Sequence, residues 1–164
     1  MADDSALKLR KRRVMRRKDA RALIGEGAGL LCGIRPATVE QAELNGTQVY
    51  LIDGDALLAR VGDTLFPTLR CPCLDELPAV VVDMGAVPYV CNGADVMAPG
   101  VVEIRGDFDE GDLVVVRDAR HGKALAIGRA LAPSGILRGT EGGKVVENMH
   151  YVGDKLWQAC AQLS

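Results

Sequence analysis

Residues 79–104 read AVVVDMGAVPYVCNGADVMAPGVVEI, and this stretch decides the fold of the C-terminal half. It begins and ends in strand-length runs rich in β-branched residues, separated by the Gly, Pro, Asn and Asp that are typical of turns. Between the two runs, residues 86–91 are predicted to form a single helical turn. Three further strand-length runs follow at 113–116, 124–127 and 144–147. Short strands with little helix between them indicate a small β-barrel or sandwich.

The first 70 residues have a different pattern, which predicts a small α+β domain. Apolar residues at helical spacing follow the basic start of the chain and predict a helix that ends in the glycine-rich stretch 25–29. Residues 37–53 then read as a β-hairpin around Asn45-Gly46, the favoured dipeptide of a two-residue type I′ turn. A second strand pair is predicted at 57–66.

Three boundaries follow from these patterns. Residues 71–78 contain two prolines and no periodic pattern, so they are predicted to link an α+β domain at 1–70 to a mainly-β domain at 79–153. The last residues, 154–164, are expected to form a C-terminal helix that starts at Asp154 and packs on the second domain.

Charge is concentrated at the N-terminus. The whole chain has a net charge of −2, but residues 1–21 hold nine basic residues against three aspartates, a balance of +6, and the remainder carries −8. Such a segment is suited to RNA phosphates, because Lys and Arg release condensed counterions when they bind them. The alternatives are a tail that is only solvated and a basic run of the nuclear-import type.

Several classes of protein are disfavoured by composition. No apolar run is long enough to span a membrane, and no secretory signal is evident, so a cytoplasmic protein is expected. The five cysteines form no C-x-x-C pair, which disfavours a zinc site. A disulfide between Cys71 and Cys73 would be strained, because the two residues are too close in sequence. An intracellular disulfide elsewhere is expected only in a hyperthermophile. The hydrolase and metalloprotease motifs are missing, so no enzyme activity, metal or cofactor is expected.

Five blocks in order carry a family resemblance. They read VDMGA at 82–86, NGADVMAPGV at 92–101, EGDLVVV at 110–116, ALAIGRA at 124–130 and GKVV at 143–146. Together they closely resemble the PUA domain, named for pseudouridine synthases and archaeosine transglycosylases. The ending HYVGDKLW at 150–157 further resembles the malignant-T-cell-amplified-sequence family of translation factors (also called translation machinery-associated) and its stand-alone archaeal relatives.

The resemblance implies a six-stranded pseudobarrel with two short helices that grips RNA through its first helix, the glycine-rich loop after it and its last strand. Small residues in that loop also let backbone N–H groups approach a phosphate or base closely. Alternatively, the glycines only turn the chain, and Tyr89 and Met97 are core residues. The candidate RNA-binding residues are Tyr89, Asn92, Gly93, Ala94, Met97, Pro99, Gly100 and Lys144, with Arg12, Arg13, Arg16 and Arg17 from the basic segment.

These features predict a non-catalytic RNA-binding protein. The resemblance implies tRNA or the small ribosomal subunit as partner, in translation initiation, re-initiation or recycling. Two alternatives are an accessory RNA-binding subunit of a tRNA or rRNA modification complex, and an adaptor that docks a protein partner through its N-terminal domain.

Overall fold

The structure is a computed structural model that describes residues 8–163. Its chain divides into two compact units. The first runs to Cys73 and is joined again by the chain from Lys155 onward, and the second is Leu74–Asp154. None of the helices within residues 8–163 has the length and apolar character of a membrane span.

Up to Cys73, the first unit is an antiparallel sheet of five strands in sequential order with one α-helix. The strands are β1 (Arg10–Val14), β2 (Val39–Leu44), β3 (Thr47–Ile52), β4 (Asp55–Val61) and β5 (Thr64–Pro67), and the helix is α1 (Arg17–Glu26). A 3-10 turn, Ala28–Leu30, follows the helix. The core of this unit is aliphatic, with Leu23, Leu31, Leu58 and Ile52 among its buried members. A sheet with a helix agrees with the α+β class predicted for this half.

The predicted hairpin is confirmed residue by residue. Strands β2 and β3 pair from Leu44–Thr47 to Val39–Ile52, so Asn45 and Gly46 form the two-residue turn. Both turn residues have positive φ, 47° and 84°, as a type I′ turn requires.

Residues 10–14 form a strand, although the sequence pattern predicts that the basic segment runs into a helix. β1 pairs antiparallel with β2, where Arg12 forms an ion pair with Glu40 and Lys11 lies 3.6 Å from Glu43. Glu40 lies 28 positions further along the chain than Arg12, so the local pattern could not reveal this pairing. The helix begins only at Arg17 and ends, as predicted, at the glycines.

The second unit is a six-stranded sheet in the order β7-β11-β10-β9-β6-β8. These strands are β6 (Ala79–Val82), β7 (Val96–Met97), β8 (Val101–Arg105), β9 (Leu113–Asp118), β10 (Ala124–Ala130) and β11 (Lys144–Tyr151). Two short helices, α2 (Val87–Val90) and α3 (Ser134–Leu137), complete it. Valines from strands β6, β9 and β11 dominate its core. All five strands predicted from the pattern and the helical turn are present, and β7 and α3 complete the six strands and two short helices that the resemblance implies.

The C-terminal helix differs from expectation. Helix α4 (Lys155–Ala161) groups with the first unit, whereas the sequence predicts packing on the second. Its buried Leu156, Ala159 and Cys160 need an apolar surface, and the Cys160 thiol lies 3.9 Å from the carbonyl of Ala56 in β4. The choice between two apolar surfaces is a tertiary property that an amphipathic pattern does not encode.

The predicted linker is ordered at its start. Cys73 forms a disulfide with Cys32, and the buried Cys71 thiol donates to the carbonyl of Leu30, so both cysteines belong to the first unit. A disulfide is therefore present, which the sequence predicts for an intracellular protein only in a hyperthermophile. Cys32 follows the glycine-rich turn and its Cα lies 5.6 Å from that of Cys73, a distance that only the folded chain brings about.

Candidate nucleic-acid interface

A concavity of about 370 Å³ lies beside α2 and the loop that follows it. Five of the predicted RNA-binding residues line it. They are Tyr89, Ala94, Met97, Pro99 and Gly100, and the carboxylate-bearing Asp83 and Asp95 share the wall. This concavity, called the α2 cavity below, has mostly apolar walls with two acidic groups.

Asp83 fixes the start of α2. Its Oδ1 accepts a hydrogen bond from the backbone N–H of Ala86 at 2.9 Å, and its own N–H donates to the carbonyl of Gly100, also at 2.9 Å. The same N–H also donates to the carbonyl of Asp83 at 3.1 Å, so Asp83 closes the turn that leads into α2. Asp83 thereby links this turn to Gly100, another residue that lines the α2 cavity.

Tyr89 and Met97 are surface residues, not core residues. Their side chains are 70% and 46% exposed. Their sequence neighbours Val90 and Val96 are 2% exposed and take the core positions. The exposed ring and thioether at the α2 cavity offer a flat and a polarisable surface to a ligand.

Gly93 and Gly100 have structural reasons to be glycine. Gly93 has φ +95°, and a Cβ there would lie 3.2 Å from the Tyr151 ring. A Cβ on Gly100 would lie 3.1 Å from the Cβ of Ala86. Gly93 and its neighbour Asn92 lie beside the α2 cavity and do not line it. Both glycines let chain segments approach closely, whatever ligand binds.

Lys144 stands at the first residue of β11, where it pairs in register with Met97 of β7. Its Nζ lies 3.3 Å from Oδ2 of Asp95, while its side chain stays 62% exposed. Oδ1 of Asp95 accepts a hydrogen bond from the backbone N–H of Asn148 at 2.9 Å. The predicted cation therefore lies next to the α2 cavity, but a carboxylate already accompanies it.

Sequence reasoning missed Asp95 and Asn148 as site residues. The Asn148 Nδ2 donates to the carbonyls of Val90 and Ala94, both at 3.0 Å, and so holds α2 and its loop against β11. Asp95 is inside the NGADVMAPGV block, between residues that are expected to contact RNA. An acidic residue at such a position could have indicated that Asp95 has a role in the site. No local signal marks Asn148, because its partners are more than fifty positions away.

The four predicted arginines belong to the first unit and are not equivalent. Arg12 pairs with Glu40, and this guanidinium holds the pKa of Glu40 below its usual range, chiefly through the hydrogen bond. Arg13 and Arg16 are exposed and form no ion pair within residues 8–163. Arg17 lines a separate groove near α1. Arg13 and Arg16 are therefore more available to a phosphate than Arg12.

Comparison with known proteins gives the family. The model of the PUA domain matches residues 78–152, within one residue of the predicted 79–153 at each end. An uncharacterised protein of Methanocaldococcus jannaschii is 34% identical over 159 residues, which cover 92% of this chain and 98% of that protein. The chain belongs to the stand-alone archaeal-type PUA-domain proteins. The predicted family resemblance is confirmed.

Two further matches agree with this assignment. The crystal structure of a hypothetical protein from the hyperthermophilic archaeon Pyrococcus horikoshii superposes with a TM-score of 0.79 at 31% identity, over 91% of this chain and 99% of that one. Translation machinery-associated protein 20 of Saccharomyces cerevisiae is 31% identical over 118 residues, which are 67% of this chain and 65% of the yeast protein. The second unit is therefore a PUA domain, and the α2 cavity lies within it.

Two of the free thiols of this PUA-domain protein, Cys71 and Cys91, are not activated. Burial raises the pKa of the Cys91 thiol at the end of α2 and that of Cys71 in the first unit. A raised pKa keeps the thiol protonated, and the thiolate is the nucleophilic form. Among residues 8–163, no three His, Cys, Asp or Glu side chains are grouped as metal ligands.

Proposed function

We propose that this protein is a non-catalytic RNA-binding protein that holds structured RNA through the α2 cavity of its PUA domain and the arginines of its first unit. The observation that carries the proposal is the convergence of five predicted residues on one cavity, with Lys144 beside it. Membership of the PUA family supports an RNA ligand.

Each element of the α2 cavity would have a distinct task. Lys144 would contact a phosphate, because its exposed ammonium group stands outside the cavity. The carboxylates of Asp83 and Asp95 would repel a phosphate inside it, so a base or a ribose hydroxyl would enter. Tyr89 and Met97 would then contact the face of that base, since aromatic rings stack on every type of base. Asn92 and the small residues around it would leave the loop backbone accessible.

A role in translation is the second part of the proposal. It rests on the similarity to yeast translation machinery-associated protein 20, which covers 67% of this chain and is therefore longer than the PUA domain alone. We infer tRNA or the small ribosomal subunit as the bound RNA, in initiation, re-initiation or recycling. A cytoplasmic location would follow from such a role.

Filter binding with tRNA and with isolated small ribosomal subunits, at several salt concentrations, tests the proposal. Saturable binding is expected, and log K should fall linearly with log salt. The double variant Arg13→Ala/Arg16→Ala should flatten that slope by about 0.7–0.9 for each phosphate that the protein no longer neutralises. Arg12→Ala is the matched control, because Arg12 is already paired with Glu40 and should change the slope less.

Two results would overturn the proposal. One is no affinity for either RNA at moderate salt. The other is an unchanged slope in the double variant together with unchanged affinity in Lys144→Ala, because no predicted cation would then contact RNA.

A further inference from the structure

A second groove, of about 750 Å³, lies on the first unit between β1, α1 and the chain that leads into β2. Its floor is aliphatic and includes Val14, Ile24 and Ile34. Val14 is 69% exposed, although it is a large apolar side chain. A solvent-exposed valine on an edge strand, next to an aliphatic groove, is the kind of surface that a binding partner covers.

Three arginines, Arg17, Arg21 and Arg35, line the same groove. Within residues 8–163, none of them forms an ion pair, whereas Arg12 and Arg60 in the same unit each have a glutamate partner. No acidic side chain is among the described residues that line the groove. The groove thus combines an aliphatic lining with three arginines that form no ion pair within residues 8–163, and the nearby carboxylate of Asp53 accepts hydrogen bonds from the backbone N–H groups of Ala37 and Thr38.

These features favour a protein segment over RNA. None of the described residues that line the groove is aromatic, so a base would find no ring there on which to stack. Aliphatic side chains form no hydrogen bonds with a phosphate or a sugar, but they pack favourably against Leu, Ile or Val side chains. Arginines beside an apolar pocket are suited to carboxylates, because a guanidinium can form two parallel hydrogen bonds to one.

We propose that this groove binds an acidic, aliphatic segment of a partner protein, in which two or three Leu, Ile or Val side chains are flanked by Asp or Glu. The aliphatic side chains fill the floor and the carboxylates meet Arg17, Arg21 and Arg35. This partner site shares no lining residue with the α2 cavity, and it assigns Arg17 to the protein partner and leaves Arg13 and Arg16 for RNA.

A peptide selection tests the groove directly. A random 12-residue phage-displayed library is selected on the full-length protein, after depletion on Arg21→Glu/Arg35→Glu. The best enriched peptide is then labelled and titrated by fluorescence anisotropy against the wild type and each variant. Lys18→Glu is the matched control, because Lys18 is an exposed cation on the same helix that does not line the groove.

Enriched peptides are expected to share Asp or Glu next to Leu, Ile or Val. The double variant should bind the best peptide at least about tenfold more weakly, since two attractive pairs become repulsive, and Lys18→Glu should change its affinity less than about threefold. Val14→Asp should also weaken peptide binding, and replacing the peptide's aliphatic residues by Asn should abolish it.

Four results would overturn the proposal. The first is no enrichment, the second is enrichment of peptides that lack acidic and aliphatic residues, and the third is an equal effect of the double variant and of Lys18→Glu on peptide affinity. The fourth is displacement of the peptide by tRNA, together with weaker binding of tRNA to the double variant than to the wild type, which would make the groove an RNA site. Light scattering provides a further check. A concentration-dependent dimer that Arg21→Glu/Arg35→Glu abolishes would assign the groove to a second copy of the chain instead.

Discussion

Replacing Asp95 by Asn should tighten RNA binding. Asp95 lines the α2 cavity, and its Oδ2 lies 3.3 Å from Nζ of Lys144. Asparagine keeps an oxygen that can accept the hydrogen bond from the backbone N–H of Asn148, so the loop should keep its conformation. The substitution removes a negative charge from the place where a phosphate is proposed to bind.

Two contributions set the size of the effect. An exposed ion pair contributes about 0.2–1 kcal/mol. In the wild type the Lys144 ammonium loses its interaction with Asp95 when it binds a phosphate, whereas in Asp95→Asn it has no ion pair to lose. A carboxylate about 7 Å from a phosphate in water adds roughly 0.6 kcal/mol of repulsion, which physiological salt screens to about 0.25 kcal/mol. Together they amount to about 0.5–1.2 kcal/mol, or roughly two- to eightfold in affinity.

Fluorescence anisotropy with a labelled tRNA, at three salt concentrations, measures this gain. Lys144→Ala should have the opposite effect and lower the magnitude of the salt slope by about 0.7–0.9. In the Lys144→Ala background, the gain from Asp95→Asn should shrink to the small through-space repulsion. An Asp95→Asn variant that folds normally by thermal melting and yet binds RNA more weakly than the wild type, or equally well, would contradict this prediction.

Three other predictions concern the ring, one turn and the disulfide. Tyr89→Ala should change the free energy of unfolding by less than about 0.5 kcal/mol in urea, because the ring is exposed, and should cost about 1–3 kcal/mol in RNA binding if the ring stacks on a base. The backbone N–H of His121, followed by other N–H groups of the same turn, lowers the pKa of Asp118. The resulting stability is present above the ordinary carboxyl pKa of about 4 and is lost as pH falls through the lowered pKa, so Asp118→Asn should flatten the loss of thermal stability in acid. Reducing Cys32–Cys73, which are 41 positions apart, should destabilise the first unit by about 4 kcal/mol, as read from the urea midpoint with and without dithiothreitol.

Each of these predictions has its own control and opposing outcome. Tyr89→Phe keeps the ring and should keep the RNA affinity, while an equal loss in both Tyr89 variants would assign the effect to the hydroxyl group. If thermal stability falls as steeply with decreasing pH in Asp118→Asn as in the wild type, the titrating group is not Asp118. A urea midpoint that dithiothreitol does not move would show that the Cys32–Cys73 link adds no stability.

Strands in the PUA domain could be predicted because their signals are local. Runs such as 79–82 and 113–116 combine β-branched residues with flanking turn residues, and a buried strand needs little else to be recognised. The Asn45-Gly46 hairpin was predictable for the same reason, since its register follows from the turn itself.

The elements that sequence reasoning missed depend on distant partners. Residues 10–14 become a strand because β2 offers them a free edge and two glutamates, which a window along the chain does not contain. Helix α4 shows an apolar face, but the choice of unit is made by surfaces that only the fold creates. The Cys32–Cys73 bridge joins residues on either side of four strands.

Five of the predicted RNA-binding residues line the α2 cavity, but their burial and contacts could be predicted only in part, and their binding role stays a prediction. Tyr89 and Met97 could be core or surface from their spacing, and the valines beside them decide that they are surface. Gly93 and Gly100 pack so closely against Tyr151 and Ala86 that a larger residue would crowd them. A glycine motif in the sequence does not show whether the glycines serve such packing or ligand binding.

On the proposed function, the charge distribution predicts that affinity and selectivity for RNA come from different parts of the chain. Outside residues 1–21 the net charge is −8, and two carboxylates stand in the wall of the α2 cavity, so we expect the PUA domain to gain little from phosphates in general. Phosphate contacts supply affinity without regard to sequence, whereas contacts to bases discriminate. Removing Arg13 and Arg16 should therefore weaken binding to every RNA by a similar factor and flatten its salt dependence. Removing the Tyr89 ring should instead reduce the difference between preferred and non-preferred RNAs at nearly constant salt slope, and the reverse pattern in competition binding would contradict this division.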